Sequence, residues 1–154
     1  MKIFSQATPP FSFLPSVMLV MLWTYAGLSK LVGLERFTQQ LELMPVGLLQ
    51  RAAPLLAWGL PMFELLLAVL LLLPKSRRIA LIVSGILLIV FEIYITGMLL
   101  SGRELPCTCG GLISQLRWKE HLIFNAVFIL LSFIPFLLPY LVSFNKHIHR
   151  GVYK

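Results

Sequence analysis

AAPLLAWGLPMFELLLAVLLLL, residues 52–73, runs into PKSRR, residues 74–78, and then into IALIVSGILLIVFEIYITGMLL, residues 79–100. Each apolar run carries a single charged residue, Glu64 in the first and Glu92 in the second. Each is long enough to supply the roughly 20 helical residues that cross a hydrocarbon layer about 30 Å thick. The basic turn between them joins one span tightly to the next. Pro54 and Pro61 are expected to bend the first run, which a membrane helix tolerates.

The same reading extends outward in both directions. From Phe11 to Ser29 there is no charge, and Lys30 closes that run. From Leu122 to Phe144 the chain is again uncharged, interrupted by Asn125, Ser132, Pro135, Pro139 and Ser143. The sequence therefore predicts one domain, residues 1–154, with spans at about 11–30, 52–73, 79–100 and 122–144 and a basic tail over 145–154. Lys2 precedes the first run as in a signal peptide, but the run exceeds the usual 7–15 apolar residues and begins late, so a retained helix is expected. The mixed segment from Val32 to Arg51 reads as a connector with a short amphipathic turn whose Phe37 and Leu41 face the membrane interface.

Composition agrees. Of the 154 residues 58% are hydrophobic and 12% charged, against roughly 45–50% and 25% in soluble domains. A water-soluble core cannot absorb that surplus, so the fold class is all-α, an integral membrane four-helix bundle. The net charge of +7 does not point to nucleic acid, because the basic residues sit at the ends of apolar runs and no recognition motif accompanies them. Four spans put Lys2, Lys75, Arg77, Arg78, Lys146, Arg150 and Lys154 on one side, and Lys30, Arg36, Arg51, Arg103, Arg117 and Lys119 on the other. The first set flanks its spans more densely, so the positive-inside bias places both termini in the cytoplasm of a multi-pass cell-membrane protein. The loop after the third span then lies outside, where disulfide chemistry is available.

That loop holds the two cysteines, Cys107 and Cys109, in Leu-Pro-Cys-Thr-Cys-Gly-Gly. A structural zinc site takes four ligands and this loop supplies two, so a metal would require His121 and a second copy of the chain. A disulfide between them fits better, since bridged residues have Cα atoms about 4.4–6.8 Å apart, within reach of i and i+2. So small a ring removes little chain entropy and is strained, which suits an exchange partner better than a permanent staple. Gly110 and Gly111 would keep the backbone open to an incoming thiol. A static bond or free thiols are the alternatives.

Polar side chains within the spans are the other candidates. Glu64 and Glu92 lie near mid-span, where a charge costs at least roughly 2.5–3.5 kcal/mol, so both should face the interior, paired or protonated. Each serves either function or interhelical packing. Lys30 can snorkel or pair with either carboxyl. His121 and Asn125, four apart, share a face at the entrance to the fourth span, and a histidine there can carry the proton released as a thiolate forms. Trp23 and Trp118 mark interfaces or packing.

Taken in order, Gly27-Leu-Ser-Lys30-Leu, Phe37 and Leu41, Leu60-Pro-Met-Phe-Glu64, Phe91-Glu-Ile-Tyr94, Pro106-Cys-Thr-Cys-Gly-Gly111, Trp118-Lys-Glu-His121 and Phe124-Asn125 resemble the MauE branch of the DoxX-like membrane proteins, from about Tyr25 to Leu131. The resemblance implies a four-helix, redox-associated membrane protein. MauE is associated with methylamine utilisation and with disulfide formation in an exported dehydrogenase subunit. It carries over disulfide handling at Cys107 and Cys109, with an exported thiol or disulfide client, or a membrane redox partner, beside membrane lipid. The neighbouring DoxX branch resembles small subunits of quinone-linked oxidoreductases, which admits a quinone as electron acceptor, with Phe91, Tyr94 and Phe124 as lining. No cofactor is certain from the residues. Two further classes compete: a small proton- or ion-coupled carrier, functional as a homodimer and using Glu64 and Glu92, and a non-catalytic assembly subunit.

Overall fold

The structure, a computed structural model, describes residues 12–42, 47–100 and 118–152, with the backbone alone at 49, 98, 118, 119 and 139–152. In chain order the described residues form α1 (Phe13–Val32), α2 (Leu34–Glu42), α3 (Gly47–Arg51), α4 (Ala53–Leu72), α5 (Arg77–Leu100) and α6 (Trp118–Val152). Four of these, α1, α4, α5 and α6, are long and apolar enough to cross a membrane. Among its described residues the protein is thus all-helical, a multi-pass membrane bundle.

Local chemistry sets where the helices start and stop. At the head of α1 the Ser12 carbonyl accepts both the Ser16 N–H at 3.1 Å and the Ser16 hydroxyl at 2.6 Å. At its end the Gly33 N–H donates to the Ser29 carbonyl, and Lys30 stands in the last turn, where a cation suits the helix dipole. Pro54 falls in the first turn of α4, where a missing N–H costs nothing. Beyond Leu73, Pro74 cannot continue the helix, and the basic turn caps what α4 leaves open. The Ser76 hydroxyl donates to the Leu70 carbonyl at 2.7 Å, and Arg77 Nε to the Leu71 carbonyl at 3.1 Å. The turn that reads as a topological signal is also a C-cap.

Packing joins α1 to α4 and α5 to α6 as two close antiparallel pairs, with α4 against α5 and α1 against α6 completing the bundle. Leu19 and Trp23 of α1, Leu67, Ala68 and Leu71 of α4, and Ala80, Leu81 and Leu88 of α5 form the buried core, with Phe128 and Phe136 of α6 packed on it. Trp23 is buried and its indole N–H donates to the Ser84 hydroxyl at 2.9 Å, so packing, not an interface, is its role. Outward-facing positions such as Met21, Leu55, Ile93 and Leu130 are apolar and exposed, as a lipid-facing surface requires.

One expectation is corrected. Phe37 and Leu41 do not face the membrane interface: Leu41 is buried with Ala53 and Ala57, and Phe37, Leu34 and Leu56 pack on the same cluster. An amphipathic helix buries its apolar face wherever an apolar surface is offered, and here the alanines of α4 leave room for it. The segment after α1 therefore folds back as α2 against the start of α4.

Alternating spans gather the end of α1, α2, α3, the start of α4, the end of α5 and the start of α6 at one end of the bundle. This connector end lies opposite the Lys75–Arg78 turn.

Candidate functional site

Two polar groupings lie in the connector half. The first depends on Gly27. A Cβ there would sit 2.9 Å from Leu65 Cγ and 3.1 Å from the Pro61 carbonyl oxygen, so glycine lets the backbones of α1 and α4 close on one another. One turn on, Lys30 Nζ donates to Glu64 Oε1 at 2.8 Å, to Oε2 at 2.9 Å and to the Ala26 carbonyl at 3.3 Å. An ammonium has three donors, and all three are engaged. The Phe37 ring of α2 stands 5.9 Å from Nζ, within cation–π range. Glu64 is fully buried and the Lys30 side chain 12% exposed.

Such a pair contributes little net stability compared with apolar residues of the same volume, yet removing one partner costs about 3–5 kcal/mol because the other charge is stranded. Its chemistry is that of a lock between α1 and α4. The alternatives open to Lys30 are resolved in favour of Glu64.

The second grouping lies between α5 and α6. Gly85 permits close approach here too, since a Cβ would meet the Phe133 ring at 2.7 Å and Ser132 Cβ at 3.2 Å. That contact fixes the register of the antiparallel pair. Glu92 falls at the level of Asn125, and His121 one turn, about 6 Å, nearer the connector end. Glu92 follows Leu88 at helical spacing on the core face of α5, and Asn125 is buried. Glu92 Oε2 and both ring nitrogens of His121 are buried without a hydrogen-bond partner among the described residues. Each such atom costs about 1–3 kcal/mol unless something meets it.

Of the other candidates, Phe91 packs on the core, and the Phe124 and Phe128 rings lie 4.7 Å apart at 46°. Among the described residues no three of His, Cys, Asp and Glu converge as a metal site would require. Cys107, Cys109 and the Trp118 side chain lie outside the described residues. Three contributors escaped the sequence reading: Phe37 over Lys30, Ser84 beneath Trp23, and Gly85 at the α5–α6 crossing. Ser84 and Gly85, adjacent in an otherwise apolar run, were the available signal.

Fold and site together define a helical membrane protein with four candidate spans among the described residues, a locked interior ion pair, and at the same end a second polar grouping in which Glu92 and His121 hold unpartnered atoms. The chain belongs to the MauE family, described as Methylamine utilisation protein MauE, which matches residues 8–138. No curated protein and no solved structure matches it.

Proposed function

We propose that this MauE-family protein handles disulfides in exported proteins, with Cys107 and Cys109 as the exchanging pair, His121 as the proton carrier, and the cysteine segment on the outer face of the cell membrane. The observation that carries the reading is the Pro-Cys-Thr-Cys-Gly-Gly sequence in the segment joining two membrane spans of a MauE-family chain. The orphaned imidazole of His121, three residues into α6, supports a proton-carrying role, because no described partner holds its nitrogens.

In the proposed step a client thiolate attacks one sulfur of the Cys107–Cys109 bond and the other leaves as a thiolate. A second client thiol resolves the mixed disulfide. The client loses two electrons and two protons and gains one disulfide, and the chain gains two thiols. A membrane redox partner or a quinone would take those two electrons and two protons to restore the bond. Methylamine remains the family's description, and the client is defined here by its chemistry, an exported protein with paired cysteines.

Of the two carboxyls that the carrier reading uses, Glu64 already has both oxygens bonded to Lys30, which leaves that reading Glu92 alone. The test is a redox titration of the membrane-embedded chain by thiol trapping across dithiothreitol ratios. A Cys107–Cys109 bond that opens and closes reversibly is expected; cysteines that never pair at any ratio would end the proposal.

A further inference from the structure

We infer that the connector end of the α5–α6 seam is a water-accessible proton inlet that ends at Glu92. The buried, unpartnered atoms among the described residues are Glu92 Oε2, His121 Nδ1 and His121 Nε2. They are not scattered: register places all three at one end of a single helix seam, with the buried amide of Asn125 level with Glu92. A carboxyl oxygen, an imidazole and an amide a turn apart offer the two to four polar partners that hold ordered water, and no apolar ligand could satisfy them. Water there would bring the protons of that side of the membrane to Glu92.

The inlet has a floor. The Trp23–Ser84 hydrogen bond aligns α1 in parallel with α5, so the Lys30 ammonium, bonded back to Ala26, lies at about the level of Leu87, roughly one turn beyond Glu92. Its three donors are taken, and both oxygens of the fully buried Glu64 are bonded to it. On α6 the next polar side chain, Ser132, is buried and its hydroxyl donates to the Phe128 carbonyl at 2.9 Å. Polar access therefore stops between Glu92 and this level. The inference uses neither cysteine and shares only His121 with the thiol chemistry proposed above.

The experiment places single cysteines in the full chain with Cys107→Ser and Cys109→Ser, reconstituted in proteoliposomes, and measures modification by a hydrophilic methanethiosulfonate reagent. These reagents need a thiolate, which forms where water reaches. Glu92→Cys and Asn125→Cys are expected to react about tenfold or more faster than Ile93→Cys on the lipid-facing side of α5, and Ser132→Cys to match the Ile93→Cys rate. If neither Glu92→Cys nor Asn125→Cys outpaces Ile93→Cys in protein that elutes as a single folded species, there is no inlet. If Ser132→Cys reacts as fast as they do, the floor is wrong and the seam is open through the membrane.

Discussion

Lys30 shows how a residue's meaning depends on its neighbours. A lysine at the end of an apolar run can snorkel to the surface, yet here it turns inward, because Gly27 lets α1 approach α4 until the ammonium reaches both oxygens of Glu64. Lys30→Met should lower stability by about 3–5 kcal/mol in equilibrium unfolding from mixed micelles, and Lys30→Met with Glu64→Leu should recover most of that loss. A single variant within about 1 kcal/mol of the parent would show that the pair is not a lock. The sequence already offered Lys30 a carboxyl partner. It did not choose between Glu64 and Glu92, since that choice depends on which helices close together, and a glycine reveals a close approach without naming the helix that makes it.

At the scale of elements, α2 was legible as an amphipathic segment but not in its destination. The spacing of Phe37 and Leu41 is the same whether the apolar face meets lipid or protein, and what decides it is Ala53 and Ala57 on a helix later in the chain. Leu41→Asp should free α2 from α4, seen as faster amide exchange over 34–42 while the four spans stay protected. Unchanged exchange there would mean that α2 is held by something other than this cluster. The α5–α6 seam yields a parallel expectation. Gly85→Ala, whose Cβ would press on the Phe133 ring, should cost about 1–3 kcal/mol, whereas Gly59→Ala, with open space around it, should not destabilise. Equal effects at the two glycines would argue against tight packing at the seam.

For the molecule as a whole, the four apolar runs carried the fold, because a span is a property of composition and length that needs no tertiary knowledge. The candidate site was legible in part: Lys30, His121, Asn125, Glu64 and Glu92 stand out as polar residues in or beside apolar runs, but the locking of Lys30 to Glu64 and the unpartnered atoms of Glu92 and His121 exist only in three dimensions. The proposed sidedness rests on the dense basic flanks of the Lys75–Arg78 turn. An impermeant thiol reagent on reduced intact cells should therefore label Cys107 or Cys109, and a reporter fused after Lys154 should read as cytoplasmic. Labelling that waits for permeabilisation would put the cysteines in a reducing compartment.

Thiol exchange with exported proteins is the central claim, and trapping its intermediate addresses it most directly. A lone cysteine of the pair runs the same exchange in reverse: its thiolate attacks a disulfide carried by an oxidised client and a client thiolate leaves. With the neighbouring sulfur gone no thiol of the chain can resolve the bond, so a mixed disulfide with the client should accumulate. Cys107→Ser and Cys109→Ser are expressed separately in intact cells, thiols are quenched with acid and alkylated, and adducts are separated without reductant. One of the two variants should carry a dithiothreitol-sensitive adduct whose attached protein is exported and has paired cysteines. Absence of any such adduct in both variants, with the parent's two cysteines alkylated as free thiols in the same cells, would contradict the account.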